Sequence, residues 1–253
     1  MVKENIILVH SFPTNSKILN GFKEYLDDYF NVYFIDMPGF VLEKKPLAKI
    51  SIENFSEYLD EEIGRLGLKS YFLGGISFGF LVVNGVKVDS KCKGILAMEP
   101  YLNSKMLKMN SGSRLKLLAL INFINIFFIH RLIWKSSFFK KILSHKFPKR
   151  YIDITLKEID SRTFFIVCGI LLRRKKIPKF NHKNYVLLIN KNDHTIDSKG
   201  IIKAFKNGAK RLKVFNQDSE HYPENITKEY FMGKISKRKI VKIVDALEKN
   251  KMV

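Results

Sequence analysis

The sequence has few of the residues that mark secreted, disulfide-stabilised or metal-binding proteins. It has two cysteines, Cys92 and Cys168, among 253 residues, and both stand in apolar surroundings. Two thiols are too few for a disulfide framework or a zinc cluster, so we expect both to be buried structural side chains. The six histidines are scattered without the spacing of metal ligands, and the sequence predicts neither a metal nor another cofactor.

Long hydrophobic runs are also scarce. The apolar run near the N-terminus is too short for a signal peptide, which favours a cytoplasmic location. The apolar stretch at 117–133 is 17 residues long, but Asn122, Asn125, His130 and Arg131 interrupt it. This length is near the lower limit for crossing a bilayer. We therefore predict a helix that packs over an apolar pocket or lies at a membrane surface, which would make the protein peripheral.

Acidic residues are missing from the middle of the chain. The net charge is +21, yet residues 1–100 carry 11 basic and 13 acidic side chains. Residues 101–180 carry 18 basic and 3 acidic side chains, and no acid occurs before Asp153 in that stretch. Such an excess favours an anionic partner, although a general compositional preference for lysine would also produce it. Nucleic acid is disfavoured, because no nucleic-acid motif is visible and the basic residues are interleaved with apolar helix.

Short, continuous apolar runs alternate with longer amphipathic segments along most of the chain. Continuous apolar strands separated by helices are typical of a parallel sheet covered on both faces. The predicted strands are 6–9, 32–35, 71–73, 95–98, 185–189 and 212–215. The predicted helices are about 16–29, 51–66, 79–88, 198–208 and 234–249. We therefore predict an α/β fold with a mostly parallel sheet of about six strands and helices on both faces.

This alternation breaks between residues 101 and 180. The stretch reads as helices with basic residues between them, in the segments 113–134, 135–147 and 161–176. We interpret it as a helical, basic cap inserted between two strands of the sheet. The predicted domains are therefore a core formed by 1–100 and 181–253 and a cap formed by 101–180.

The most specific motif is G-x-S-x-G, in Gly75-Ile76-Ser77-Phe78-Gly79. It follows a predicted strand and precedes a predicted helix, which is the context of a nucleophile elbow. The sharp turn forces the serine into strained backbone angles, and the flanking glycines remove the clashes. The turn raises the hydroxyl above the sheet edge and directs the helix N-terminus toward developing negative charge. Ser77 is the predicted nucleophile.

With this motif the chain resembles the α/β-hydrolase family, whose order is nucleophile, acid, histidine. Asp193 lies four residues beyond the predicted strand end at Ile189, and His221 lies in the loop after the last predicted strand. The resemblance implies that His221 accepts the proton of Ser77 and that Asp193 holds the imidazole. Glu99 is the alternative acid, because it ends the preceding strand, where some hydrolases of this fold carry it.

The resemblance also implies an oxyanion hole made by the backbone N–H groups of Phe12 and Phe78. Phe12 lies in a segment similar to the family's His-Gly-x-Pro, with Ser11 in place of glycine and His10 as a structural residue. Asn190 stands where the family often has glycine before the acid, and asparagine tolerates positive φ.

Further along, Asp36-Met37-Pro38-Gly39 resembles the family's Asp-x-Pro-Gly turn, which shapes the site wall. The resemblance covers the whole chain if residues 101–180 are the cap. The first predicted strand is the one that bears the oxyanion loop, so two N-terminal strands of the family are expected to be missing.

Three functions follow from this reading. The first is a serine hydrolase that cleaves a carboxylic ester with an apolar acyl part, acting on a small-molecule substrate through an acyl-enzyme on Ser77. The alternative is a thioesterase or esterase acting on acyl groups linked to an acidic carrier protein or on anionic lipids, attracted by the basic cap. The third is a non-catalytic binding protein of this fold. Dehalogenase and epoxide-hydrolase chemistry needs a carboxylate nucleophile, which Ser77 argues against.

Several aromatic and aliphatic side chains of the cap suit an alkyl or acyl substrate, and equally suit packing of the cap onto the core. They are Phe123, Phe127, Phe128, Ile129, Trp134, Phe138 and Phe139. The sequence makes no prediction of the oligomeric state.

Overall fold

Six parallel strands form one sheet, which confirms the prediction of a mostly parallel sheet of about six strands. The structure is a computed structural model and describes residues 3–248. The predicted core limits at residues 1 and 253 and the predicted helix end at residue 249 lie outside this range. The strands are β1 (Glu4–Val9), β2 (Phe30–Ile35), β3 (Tyr71–Ile76), β4 (Cys92–Met98), β5 (Asn184–Ile189) and β6 (Arg211–Asn216). Across the sheet they lie in the order β2-β1-β3-β4-β5-β6.

Helices cover both faces of this sheet, which explains why its inner strands are largely apolar without alternation. Along β1, Ile7 and Val9 pack into one hydrophobic core and Ile6 and Leu8 into the other. One face is covered by α2 (Ile52–Leu66), α3 (Phe78–Gly85) and α9 (Ser198–Gly208). The other is covered by α1 (Asn20–Asp27), α10 (Lys228–Lys234) and α11 (Lys237–Glu248).

Five α-helices occupy the chain between β4 and β5. They are α4 (Ser111–Ile126), α5 (His130–Trp134), α6 (Ser137–Ser144), α7 (Lys149–Glu158) and α8 (Ser161–Arg173), after a 3₁₀ turn at Ser104–Met106. Helix α7 was not predicted from the sequence. Its sequence is mostly polar, but Tyr151, Ile152 and Thr155 are buried.

The apolar stretch 117–133 does not form one helix. Helix α4 ends at Ile126, and α5 begins at His130 after a turn in which Phe128 adopts a φ of 52°. Within residues 3–248, no helix is long and apolar enough to cross a membrane.

Local sequence signals fix the helix ends that matter for the site. Asp160 caps α8, where its Oδ1 accepts hydrogen bonds from the N–H and the hydroxyl of Thr163. A Cβ atom at Gly39 would lie 2.4 Å from the Thr163 hydroxyl, and Gly39 has a φ of 81°. The Asp-x-Pro-Gly turn therefore needs glycine at its last position, because α8 packs directly against it.

Candidate active site

Ser77 occupies the sharp turn between β3 and α3, with φ 49° and ψ −110°. This strained conformation is held by hydrogen bonds to the neighbouring strand and its loop. The Ser77 N–H donates to the Met98 carbonyl at 2.9 Å, and the Ser77 carbonyl accepts from the N–H groups of Phe80 and Tyr101 at 3.1 Å. The Ser77 hydroxyl makes no capping bond to α3. It is therefore available for another partner.

The two glycines of the motif are required by close backbone approach. A Cβ atom at Gly75 would lie 2.6 Å from the Phe80 nitrogen, inside the first turn of α3. A Cβ atom at Gly79 would lie 2.4 Å from the Val9 carbonyl oxygen, at the end of β1. Since backbone atoms cannot shift as side chains can, a larger residue at either position would open the turn that carries Ser77.

His221 lies between Ser77 and Asp193. Its Nε2 is 3.3 Å from the Ser77 Oγ, and its Nδ1 is 2.9 Å from the Asp193 Oδ2. An ionised carboxylate only accepts hydrogen bonds, so Nδ1 carries the proton and Nε2 presents a lone pair to the hydroxyl. The structure thus joins three predicted residues, from three separate loops at the carboxyl edge of the sheet, in one hydrogen-bonded chain.

Asp193 is buried yet ionised. Burial raises the pKa of its carboxyl, but hydrogen bonds from His221 and from two backbone N–H groups hold that pKa below its ordinary value. The two N–H groups belong to Thr195 and Ile196, and both donate to the Asp193 Oδ1. Oδ2 is left to face His221, so the loop fixes the orientation of the carboxylate.

Glu99, the alternative acid, also lies in the site but makes different contacts. Its Oε1 accepts hydrogen bonds from the Asn190 N–H at 2.6 Å and from the Gln217 amide at 2.5 Å. Its Oε2 is buried and has no hydrogen-bond partner among the described residues. Glu99 thus ties the loop after β5 to the loop after β6, while Asp193 contacts His221.

The ligand atoms of Glu99, Asp193 and His221 lie within 4.8 Å of one another. A metal ion bound by all three would have to break the hydrogen bond between Asp193 and His221. The arrangement therefore fits proton transfer better than metal binding.

The loop after β1 carries Phe12, the predicted oxyanion donor. Within residues 3–248 the Phe12 N–H meets no protein acceptor. Phe78 is the first residue of α3, so its N–H has no acceptor inside the helix. Ser11, in the position of the family's glycine, does not have a positive φ, and its hydroxyl lies 2.9 Å from that of Thr14. The loop thus accommodates serine without strain.

His10 holds this loop in place. The Met37 N–H donates to its Nε2 at 3.1 Å, so the proton lies on Nδ1, which donates to the Ser11 carbonyl at 2.8 Å. Burial lowers the pKa of His10. A neutral imidazole with both nitrogens engaged by backbone is a structural residue, as the sequence analysis expects.

No model of a known protein family and no curated protein matches the sequence. Solved structures match along nearly the whole chain. An esterase from Thermogutta terrifontis is 15% identical; the match covers 98% of this chain and 91% of that one, with a TM-score of 0.67. An esterase from Exiguobacterium antarcticum is 15% identical, covering 96% and 91%, with a TM-score of 0.66. A Bacillus megaterium epoxide hydrolase is 12% identical, covering 97% and 93%, with a TM-score of 0.67.

The protein has the α/β-hydrolase fold. At 12–15% identity these likenesses show the fold alone. Because one α/β-hydrolase fold supports both esterase and epoxide-hydrolase chemistry, the reaction must be argued from the site itself.

Two further residues that contact the candidate site were not predicted from the sequence. Tyr222 packs its ring against His221, with centroids 4.7 Å apart, and its hydroxyl donates to the Phe12 carbonyl at 2.8 Å. It therefore connects the histidine loop to the oxyanion loop. The side chain of Lys108 donates to the Asp193 carbonyl. Neither residue belongs to a motif, so no sequence signal distinguishes them from other tyrosines and lysines.

The expectation that Asn190 would use positive φ is wrong. Asn190 has ordinary backbone angles, and the positive φ of 43° in this region belongs to Glu99. The Asn190 side chain accepts from the Asn192 N–H at 2.8 Å and donates to the Ser219 carbonyl at 2.9 Å. Asparagine is therefore suited to this position by its side-chain hydrogen bonds.

Aromatic rings line the approach to the oxyanion loop. Phe12 packs against Phe164 of α8, with centroids 5.0 Å apart. Phe164 in turn contacts Trp134 at 5.0 Å and Phe139 at 5.7 Å, and both of these residues are buried. By contrast, Phe123, Phe127, Phe128 and Phe138 are exposed. For these residues the sequence left open whether they face a substrate or pack onto the core. The aromatic residues of the helical region therefore form two groups, one packed near the site and one facing solvent.

The protonation of Glu99 gives a testable pH dependence. Burial, with a further contribution from the Asp193 carboxylate, raises the pKa of Glu99 to about 8. Between the unfolded value of 4.5 and about 8, the folded state keeps a proton that the unfolded state loses. Stability should therefore fall as pH rises through this window. Glu99→Gln removes this titration. The free energy of unfolding of the variant, relative to that of the wild type, should therefore rise by about 2–4 kcal/mol from pH 5 to pH 8.

Urea unfolding of both proteins at several pH values measures this gain. Groups that titrate equally in the two proteins cancel in the difference between their stabilities. A difference that stays constant from pH 5 to pH 8 would show that Glu99 is ionised in the folded state.

Proposed function

We propose that the protein is a serine hydrolase that cleaves a carboxylic ester with an apolar acyl part. The observation that carries this proposal is the hydrogen-bonded chain from Asp193 through His221 to Ser77, at a strained strand-to-helix turn. A helical segment between two strands would serve as its cap. The third hypothesis is a non-catalytic binding protein. It does not explain why Ser77 is held in a strained conformation facing His221.

In the first half-reaction, the Nε2 of His221 accepts the proton of the Ser77 hydroxyl while Oγ attacks the ester carbonyl carbon. Asp193 stabilises the imidazolium that forms. When the tetrahedral intermediate collapses, the bond to the alkoxy group breaks, and His221 protonates the departing alcohol. An acyl group then remains esterified to Ser77.

In the second half-reaction, His221 accepts a proton from water, which attacks the acyl carbonyl carbon. The bond to Ser77 Oγ breaks, the proton returns to that oxygen, and a carboxylic acid leaves. The N–H groups of Phe12 and Phe78 stabilise the negative oxygen in both steps, because neither donates to a protein acceptor within residues 3–248. This role requires the loop that Tyr222 and His10 hold in place.

The apolar acyl part is inferred from the ring of Phe12, which lies in the oxyanion loop, and from the ring of Phe164 that packs against it. A polar acyl chain would lose its hydration next to these rings without gaining hydrogen bonds. Thioesters linked to a carrier protein pass through the same steps with a thiol as the leaving group. They are the alternative that the exposed basic residues of the helical region favour.

A fluorophosphonate probe tests the proposal directly, because it reacts with an activated serine. The folded protein should be labelled at a single site, and peptide mapping should place the adduct on Ser77. Denatured protein is the control, since an ordinary serine hydroxyl is a weak nucleophile. Folded protein that resists labelling would refute serine catalysis in both the ester and the thioester form.

A panel of p-nitrophenyl esters of rising acyl length, run beside acyl-carrier thioesters, then separates the two substrate classes. Turnover of the p-nitrophenyl esters that rises with acyl length supports a carboxylic-ester hydrolase. Turnover of the carrier thioesters alone supports a thioesterase.

A further inference from the structure

Helix α4 carries apolar side chains on two faces. Ile121 and Ile124 are buried on the side that contacts α8. Leu115, Phe123 and Ile126, spaced by eight and three residues, lie on one other face and are exposed. A helix at the surface of a globular protein normally has one apolar stripe, and it buries that stripe. The second stripe of α4 is therefore unexplained by packing of the chain.

The exposed apolar surface continues around the turn into α5. We call Phe123, Ile126, Phe127, Phe128 and Leu132 the apolar tip; Phe128 and Leu132 are 76% and 77% exposed. The rings of Phe123 and Phe127 touch, with centroids 4.7 Å apart. Of the thirteen exposed large hydrophobic side chains in residues 3–248, eight lie within residues 115–138. Such clustering marks an interaction surface rather than scattered surface residues.

Phe128 occupies a backbone position that suits glycine better. The Phe128 N–H donates to the Asn125 carbonyl, and the Ile129 N–H donates to the Ile124 carbonyl. With a φ of 52° at Phe128, these bonds form a Schellman motif at the end of α4, in which glycine is the usual residue. A phenylalanine here is held in a costly conformation while its ring is exposed. This combination indicates that the ring serves a purpose outside the folded chain.

Basic side chains flank the apolar tip in the sequence. Arg131, Lys135, Lys140 and Lys141 are exposed, and so is Lys116 on α4. No acidic residue occurs between residues 100 and 152 to offset them. Aromatic and aliphatic side chains close in sequence to several exposed basic residues, in a stretch of chain without acids, match the composition of surfaces that bind at the interface of anionic membranes.

We propose that the apolar tip and its flanking lysines dock the protein on an anionic lipid surface. The tip residues enter the boundary between headgroups and acyl chains, and the lysines contact the anionic headgroups. A lipid surface fits better than a protein partner, because it accepts an exposed phenylalanine cluster and a cationic rim without a complementary pocket. The proposal does not depend on the catalytic one, since binding requires no turnover.

Vesicle flotation tests this docking. The wild type should float with vesicles of phosphatidylcholine and phosphatidylserine in a 70:30 ratio and much less with pure phosphatidylcholine. Binding should weaken in 0.5 M salt, because salt screens charge attraction at the surface. Ser77→Ala should float equally well, which separates this proposal from the catalytic one. A wild type that fails to float even at low salt would overturn the proposal.

Variants locate the docking surface. Phe128→Gly should lower partitioning about tenfold or more, because one exposed aromatic ring no longer enters the bilayer. It should leave the thermal stability unchanged or higher, because glycine relieves the strained position. Lys135→Gln/Lys140→Gln/Lys141→Gln should lower binding to anionic vesicles by about a hundredfold, near fivefold for each lysine.

Matched controls use similar residues elsewhere. Met232 and Val241 are exposed apolar residues outside the tip, and Lys199, Lys203 and Lys206 are exposed lysines of α9. Substituting Ser for the first pair or Gln for the second group should leave flotation within about twofold of the wild type. Equal losses in these controls would mean that composition alone drives binding. Binding of the tip to an acidic carrier protein, or a concentration-dependent dimer that Phe128→Gly abolishes, would likewise overturn the lipid assignment.

Discussion

Ser77→Ala should lower kcat for ester hydrolysis by about a millionfold, to the level supported by the remaining site alone. The variant lacks the oxygen that forms the acyl-enzyme. A water molecule bound in place of the hydroxyl cannot form that covalent intermediate. Rates measured with the best p-nitrophenyl ester of the panel check this. His221→Ala should cost about as much, and the double variant little more, because the two side chains act as one unit.

The fold of the Ser77→Ala variant should survive, because the hydroxyl makes no capping bond and the turn is held by backbone hydrogen bonds. Ser56→Ala is the matched control. That buried serine donates to the Ile52 and Val82 carbonyls, away from the site, so its loss should reduce stability without changing kcat more than a few fold. If Ser77→Ala kept a tenth of wild-type activity, the nucleophile would have to be another group.

Asp193→Asn should lower kcat by about ten thousandfold, while Glu99→Gln should stay within about tenfold of the wild type. The reason is the orientation of the side chain. The N–H groups of Thr195 and Ile196 would keep the oxygen of the asparagine, leaving its NH₂ group to face His221. A donor at that position favours the tautomer in which the Nδ1 lone pair faces the NH₂ group and the proton lies on Nε2. A protonated Nε2 can no longer accept the proton of Ser77.

The comparison of these two variants decides which carboxyl is the catalytic acid. Both replace a carboxyl by an amide of nearly the same shape, so each serves as the steric control for the other. Steady-state kinetics on one ester, with stability measured at the same pH, separate a catalytic loss from a folding loss. A large loss in Glu99→Gln and a small one in Asp193→Asn would reverse the assignment.

The six strands and their parallel direction were predictable because the inner strands are largely apolar runs, buried on both faces, and the edge strands keep a shorter apolar run. Strand ends were less predictable: β3 extends to Ile76, although its last three residues include Gly74 and Gly75. These glycines read as a turn in the sequence. In the structure they continue the strand because neighbouring side chains and α3 occupy the space that larger residues would need.

The helical region between β4 and β5 was predictable in type but not in detail. Its composition predicts helices, yet nothing in the run from residue 117 to residue 133 marks its break, because the glycine that usually ends a helix is replaced by Phe128. The sequence also did not indicate which phenylalanines pack inside the protein and which face solvent. Phe138 and Phe139 are neighbours in α6, and the first is exposed while the second is buried.

The sheet and the elbow serine follow from local patterns of the sequence, whereas the acid and the histidine after that serine were assigned through the resemblance to the α/β-hydrolase family. The sequence also placed the basic excess in the middle of the chain. The identity of the carboxyl that contacts His221 depends on tertiary contacts that no local pattern encodes. Glu99 and Asp193 follow adjacent strands, β4 and β5, whose carboxyl ends share one edge of the sheet. The choice between them depends on loop contacts: Glu99 turns to Asn190 and Gln217, while two backbone N–H groups direct Asp193 toward the imidazole.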